Sequence, residues 1–383
     1  MNKITMFDKI MTLMSEKVIV EKIADNKSDK WYKTFTTKDH LAVMVFAQLM
    51  NCKSIRELAI QFNTMQNKNY TEVKRSTFSD ANTFRSSAFF EALCKTLVDK
   101  QQNDVNDALR LFDSTPIIIS GRGSEWVLAR STRHIKGLKV HIQLAPQQLR
   151  INQMIITPPN VNDITVAKSW EPTAGTINIF DKGYFDFNWW HKIHLSGAYF
   201  VTRTKKNTKY KVIQENTRTK DTSDGILSDQ LILLQNKNPR GGKINLLADI
   251  PLRLVTYFDS IHRKTYTFIT NLLTIPPEEI AAYYKMRWEI EIFFKWLKQN
   301  LKIKRFLGTN ENAIKIQIYT AIITYILLRE LAKTFKLEFI RMKDLLAWIK
   351  MVVYRPIEDL LFLSRNICKM SYFCKKKCVE LCV

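Results

Sequence analysis

A chain of 383 residues has room for two or three domains, and its 46% apolar and 11% aromatic content can bury sizeable cores. Ten glycines and ten prolines exclude a low-complexity or collagen-like chain. Lys and Arg number 59 against 36 Asp and Glu, a net charge of +23 spread along most of the chain, which favours a polyanionic partner.

The N-terminus lacks the cationic, apolar and small-residue series of a secretory signal. The longest apolar run, Ile318 to Leu328, is shorter than a membrane span and is broken by Thr and Tyr, so a cytoplasmic protein with no membrane partner is expected. Residues 1–100 read as helical. Lys38 to Leu49 is a mostly apolar helix, Ser54 and Glu57 have the spacing of a capping box, and Thr77 to Asp80 followed by Phe84, Phe89, Phe90 and Leu93 suggests a third helix. Basic residues at the edges of these helices, Lys68, Lys74, Arg75 and Arg85, suit docking on DNA. Cys52 and Cys94 read as core thiols within helices.

Residues 105–204 read as strands. Asp107 to Phe112 is a short buried strand that delivers Asp113 at its tip, with Ser114-Thr115-Pro116 as a stop before Ile117. Lys139 to Leu144 alternates as a half-buried strand does. Thr176 to Phe180 repeats the first design, ending in Asp181 and a turn at Lys182-Gly183-Tyr184. A further strand spans Ala198 to Arg203. An aspartate at the end of a buried strand puts a hard ligand on a rigid scaffold, although Asp also favours turns and caps. His191 and His194, beside Trp189-Trp190, read as partly exposed helix residues.

Residues 205–275 change character. Lys, Asn and Thr are frequent, turns are signalled at Ser223 to Gly225 and Pro239 to Gly242, and short runs such as Leu252 to Val255 and Tyr266 to Ile269 indicate a β-rich insertion. From Pro277 the pattern is helical. Tyr284 to Lys298 has no Gly or Pro and reads as one helix. At roughly 100° per residue, Tyr284, Arg287, Glu291, Lys295 and Lys298 share one face, with Trp288 at its border. Met286, Ile290, Phe293, Trp296 and Leu297 form the apolar back. A single carboxylate in a stripe of cations suits a site that holds a divalent metal and grips phosphates, although i,i+4 ion pairs on a solvated face have the same pattern. Residues 356–383 form a tail in which Cys368, Cys374, Cys378 and Cys382 lack a Cys-x2-Cys pair or a nearby histidine, so a zinc site is not the favoured reading.

The order strand–Asp113, strands, strand–Asp181, strand, insertion, helix–Glu291 is that of a ribonuclease H-like domain. The spacing Tyr284-x2-Arg287-x3-Glu291-x6-Lys298 resembles the diagnostic motif of the DDE transposases of bacterial insertion sequences, in the insertion-sequence-4-type branch. Leu111 to Thr115 resembles that family's first-aspartate region and Phe180 to Tyr184 its second. Gly137-Leu-Lys139-Val-His141, Phe200 to Lys205, Thr270-Asn271, Gly308 with Asn312-Ala313, and Arg75 to Asn82 match in kind and order, so the resemblance covers roughly residues 20 to 350.

The resemblance implies an α/β (α+β) fold: a ribonuclease H-like core in two parts, 105–204 and 276–355, interrupted by the β-rich insertion 205–275 and preceded by a helical DNA-binding domain, 1–100. It implies catalytic and metal-ligating roles for Asp113, Asp181 and Glu291 with two Mg²⁺ ions, for which Mn²⁺ could substitute. Tyr284, Arg287 and Lys298 would contact DNA phosphates. Lys295 joins them by helical geometry, and Trp288 is a candidate for base stacking. The partners would be double-stranded DNA, both terminal inverted repeats and target, and a second copy of the chain in the synaptic complex. Relatives that pass through a DNA hairpin hold a flipped base with an aromatic of the insertion. Here residues 205–275 contain no Trp, though Tyr210, Tyr257, Phe258, Tyr266 and Phe268 are available. Two alternatives are a ribonuclease H-like nuclease without strand transfer and an inactive or domesticated DNA-binding derivative.

Overall fold

A computed structural model describes residues 4–65, 69–102, 108–119, 126–127, 137–216, 225–235, 244–301, 303, 306–337 and 341–358. Lys68, the turn signals at 223–224 and 239–242, and the four C-terminal cysteines lie outside these residues. The chain forms two units: Met1–Lys100 with Ile119–Ala129 and Lys295–Val383, and Gln101–Ile118 with Arg130–Phe294.

The first unit is helical among its described residues. It contains α1 (Met6–Thr12), α2 (Glu16–Asp25), α3 (Thr37–Met50), α4 (Ile55–Thr64), α5 (Arg75–Phe84) and most of α6 (Ala88–Gln102). The side chains of Thr5, Thr36 and Ser54 cap α1, α3 and α4. At α4 the capping box is half formed, because Glu57 turns back to the Lys53 N–H rather than to that of Ser54. Cys94 is buried in α6, while Cys52 is buried in the turn that follows α3. Arg85, expected at a basic edge, is fully enclosed. Its guanidinium lies 4.2 Å from the Tyr32 ring centroid and donates to the carbonyls of Phe35 and Thr36, because N–H groups in the interior need acceptors. Lys74 and Arg75 are exposed.

The second unit is built on a nine-stranded sheet of β1 (Leu109–Ile118), β2 (Gly137–Ala145), β3 (Arg150–Thr157), β4 (Ile177–Ile179), β5 (Tyr199–Arg203), β6 (Tyr210–Glu215), β7 (Ile226–Leu234), β8 (Leu252–Asp259) and β9 (Lys264–Thr270). The spatial order is β3-β2-β1-β4-β5-β9-β8-β7-β6, so the four strands at 210–270 continue the same sheet. Pairs β1–β4 and β4–β5 are parallel and the others antiparallel. β2 lies between two partners and is buried on both faces for most of its length, so His141 is enclosed instead of alternating outward.

Helices α7 (Asp163–Ala167) and α8 (Phe187–Leu195) belong to the same unit. α8 follows Lys182–Tyr184, a single 3-10 turn. Phe112, Phe180, Trp189, Trp190 and Phe200 join one aromatic core, with Phe180 and Trp189 centroids 4.7 Å apart and Trp190 and Phe200 5.1 Å apart.

The stretch read as one helix is two, α9 (Pro277–Lys285) and α10 (Trp288–Asn300), with a turn at Met286-Arg287. Neither Gly nor Pro causes the break. Tyr284 is buried against Phe268 of β9, with ring centroids 4.8 Å apart, and the chain turns there before α10 begins. Met286, assigned to the apolar back, is therefore exposed. The helical unit is completed by the rest of α10, α11 (Glu311–Thr334) and α12 (Met342–Val352). Among the described residues no helix is long and apolar enough to cross a membrane.

Candidate active site

Parallel strands β1 and β4 are in register from Leu109↔Ile177 to Leu111↔Ile179 and then part. Asp113 and Asp181 each lie two residues beyond the last paired position. The strand period of two sends the preceding residues, Phe112 and Phe180, into the aromatic core, where their rings meet edge to face at 6.2 Å. Both acids thus stand on backbone fixed by buried neighbours.

Asp113 is not at a strand tip, because β1 continues through Pro116 to Ile118. The proline is tolerated because past Leu111, among the described residues, only β2 flanks this strand, so a missing N–H on the other side breaks no described ladder. The Ser114 N–H donates to Asp113 Oδ1 at 2.8 Å. Asp181 caps the 3-10 turn, its Oδ1 accepting from the Gly183 N–H at 2.7 Å. A Cβ at position 183 would lie 2.9 Å from that oxygen, which explains the glycine.

The electrostatics tie the third acid to these two. Burial pushes the Asp113 carboxyl up to about 7. The Ser114 N–H and the Arg287 charge oppose this shift, and the negative charges of Asp181 and Glu291 add to it. Asp113 therefore feels both other acids and Arg287 together. Glu291, on the first turn of α10, pairs with Arg287 at 2.6 Å. Tyr284 is 7% exposed, and among the described residues its hydroxyl has no hydrogen-bond partner of good geometry, with Arg287 the group nearest to supplying one. Burial raises its pKa, while the charges of Arg287 and Arg203 oppose the rise. The Arg203 and Arg287 guanidiniums lie 5.4 and 5.7 Å from its ring centroid.

Among the described residues no three His, Cys, Asp or Glu side chains already form a ligand set for a metal ion. The donor chemistry nevertheless fits a hard divalent cation. Asp113, Asp181 and Glu291 offer carboxylate oxygens from rigid elements, and mutual repulsion at Asp113 is what such a cation relieves. A cation and a proton would compete for Asp113.

The residues nominated in the sequence divide accordingly. Asp113, Asp181, Glu291, Arg287 and Tyr284 belong to one unit and are electrostatically linked. Lys295 and Lys298 lie further along α10, in the helical unit. Trp288, 57% exposed, lines a recess of about 720 Å³ with Arg203, Tyr257, Tyr266, Phe268 and Tyr284. Three of these aromatics come from β8 and β9, and no spacing in the sequence shows that they would meet α9. His194 bonds to Asn271, which ties β5 and β9 together, so its place is structural. Sequence reasoning also missed Asp163, whose Oδ1 accepts from Ser114 Oγ at 2.8 Å. Its position beside Asn162 at a helix start looks like a cap and hides it.

Comparison with known proteins agrees with this architecture. Residues 106–327 match a family model described as a transposase DDE domain, more than half of the chain. Residues 2–71 match one described as a domain of unknown function. A Sinorhizobium fredii protein named as a transposase is 37% identical over 67% of this chain and 70% of its own length. A Geobacillus stearothermophilus protein named as the transposase for insertion sequence element IS5377 is 28% identical over 58% of this chain and 56% of its own. A Synechocystis protein named for element IS4SA is 28% identical over 42% of each. Among solved structures, piggyBac transposase in a synaptic complex with hairpin DNA matches with a TM-score of 0.50, covering 90% of this chain and 79% of that one at 10% identity. At that identity the likeness is one of fold, the ribonuclease H-like fold of transposases.

Proposed function

The chain belongs to the DDE transposase family, enzymes that act on DNA, and from that premise we propose that Asp113, Asp181 and Glu291 are its catalytic carboxylates in moving an insertion sequence. The observation that carries this reading is the convergence of charge on Asp113, which feels Asp181, Glu291 and Arg287 at once.

Family membership implies a divalent metal. We take it to be two Mg²⁺ ions held by the three carboxylates, with Mn²⁺ as a substitute. When bound, such ions supply Lewis-acid activation of the attacking hydroxyl and charge stabilisation at the leaving oxygen. The protein's part is to hold the phosphate. Arg287 pairs with Glu291, so its guanidinium would grip a DNA phosphate beside the carboxylates. Tyr284 keeps its proton, since burial raises its pKa, and therefore serves as a hydrogen-bond donor and not as a nucleophile. Lys295 and Lys298 would extend the phosphate track along α10, a role supported by charge and helix position. Trp288, exposed at the mouth of the aromatic recess, would stack on an unpaired base.

The DNA partners would be the element's terminal inverted repeats and the target. Joining two ends calls for at least a dimer on DNA, and the work would take place in the cytoplasm at the nucleoid. Residues 1–100 would help dock the ends, with Lys74 and Arg75 exposed for the purpose. Residues 105–204 and 276–355 would be the catalytic core, 205–275 its insertion and 356–383 a tail.

The purified protein, mixed with Mg²⁺ and linear DNA carrying candidate inverted repeats, should give joined products. Cleavage without joining would indicate a nuclease. A mobility shift without cleavage would indicate a DNA-binding derivative.

A further inference from the structure

The Lys139–His141 motif on β2 has no place in the three-acid chemistry, yet both side chains meet at Asp163. Asp163 Oδ1 accepts from Lys139 Nζ at 3.2 Å and from Ser114 Oγ at 2.8 Å, and His141 Nδ1 stands 3.4 Å away. Lys139 also donates to the Val161 carbonyl at 2.8 Å, which fixes its ammonium between two acceptors. His141 is 1% exposed and bonds through Nε2 to Thr157 Oγ1 at 2.8 Å, while that hydroxyl gives its own proton to the Pro158 carbonyl. A lysine and a serine are thus spent on one carboxylate outside the three-acid set, with a buried histidine beside it.

The location of that carboxylate gives it a use. Past Leu111, β4 no longer flanks β1, and among the described residues no other strand pairs with that edge beside Asp113. Ser114 is tied to β2 on one side, opposite His141. On the other side its N–H turns to Asp113 Oδ1 at 2.8 Å, and its hydroxyl is tethered to Asp163. The side-chain tether acts where β4 has ceased to pair. Asp163 is also near the other acids, because its Oδ2 lies 3.7 Å from where a Cβ of Gly183 would stand, beside Asp181 Oδ1.

We propose that Asp163 is a positioning residue for DNA cleavage: through Ser114 it fixes the Asp113 carboxylate, and Lys139 holds Asp163 in place while His141 packs beside it. This rests on the reading of Asp113 as a catalytic carboxylate. The test is single-turnover cleavage of pre-bound DNA across a Mg²⁺ titration, with DNA affinity and thermal unfolding measured on the same preparations. Asp163→Ala should lower the cleavage rate roughly 10- to 100-fold and raise the Mg²⁺ concentration for half-maximal rate, with DNA affinity unchanged. Ser114→Ala, which removes the tether alone, should shift the Mg²⁺ midpoint in the same direction. Asp163→Asn, which keeps an oxygen for the Ser114 hydroxyl, should recover part of the loss. A wild-type rate and Mg²⁺ midpoint in Asp163→Ala would overturn the proposal. So would a rate loss that follows lowered thermal stability, with the Mg²⁺ midpoint unmoved in Ser114→Ala and Asp163→Asn. If Asp113→Ala itself cleaves DNA, the assignment of Asp113 fails independently of the Asp163 variants.

Discussion

Two aspartates on the same sheet, Asp229 buried and Asp113 half-buried, are treated in opposite ways. In the antiparallel half, Asp229 of β7 is enclosed with Arg253 of β8, whose Nε and Nη2 donate to its two oxygens at 2.8 and 2.7 Å. Arg253 Nη1 is spent on the carbonyls of Leu273 and Ile275. In the half with parallel strands, Asp113 receives the Ser114 N–H, while burial and two like charges hold its carboxyl up at about 7. The forked pair serves the fold. The carboxylate left in tension with its neighbours is the one proposed for chemistry, since perturbed acids cluster at functional sites.

The comparison breaks most visibly at Asp113. Asp113→Asn should reduce DNA cleavage by about 10³-fold or more, the equivalent of about 4 kcal/mol of transition-state stabilisation. Thermal unfolding at pH 8 should occur no earlier than in the wild type, because the charged form is what burial disfavours. Cleavage at the wild-type rate would end the assignment, and a large loss of stability would make Asp113 a fold residue like Asp229.

Asp229→Ala is the converse. Removing one partner leaves Arg253 buried and uncompensated, at a cost of about 3–5 kcal/mol in urea unfolding. Replacing both partners together by apolar residues should cost less than the sum of the two single changes. Additive losses would show that the pair is not coupled.

A third buried ionisable group, in the helical unit, sharpens the contrast through pH. His40 is fully enclosed and bonds through Nε2 to Asn82 at 3.1 Å. Burial, and then the Arg85 charge, hold its pKa down at about 3, below the 6.5 of an unfolded histidine. Unfolding therefore takes up a proton between pH 3 and 6.5. The contribution is complete above about pH 6.5 and is lost as pH falls through that window, by about 2 kcal/mol at pH 5. Urea unfolding of the wild type at pH 7.5 and 5 should show this drop, and His40→Gln should show a smaller one.

Much of this architecture is legible in the chain itself. Apolar runs ending in Asp113 and Asp181 announce buried strands, and the spacing of Tyr284, Arg287, Glu291 and Lys298 singles out the motif. What stays hidden depends on partners distant in sequence. The turn at Met286-Arg287 follows from Tyr284 docking on Phe268, which no helical wheel contains. Arg85 looks like a surface cation until Tyr32, Phe35 and Thr36 close around it. Pro116 looks like a strand stop because only the sheet order shows that, among the described residues, no strand pairs with its other edge. Asp163 carries a cap signal and acquires its neighbours only when β1, β2 and α7 assemble.

Trp288 offers the smallest effect and the cleanest separation of fold from function. It is 57% exposed, whereas Trp190 is fully buried against Phe200. Trp288→Ala should leave thermal unfolding unmoved and weaken binding of DNA that carries an unpaired base about tenfold, with little change for fully paired DNA, since stacking on one base is worth about 1–3 kcal/mol. Trp288→Phe should restore most of the difference, because a flat ring is what the base requires. Equal weakening on paired and unpaired DNA would instead assign Trp288 to the phosphate track beside Arg287. The aromatics of β8 and β9 would then be packing for Tyr284.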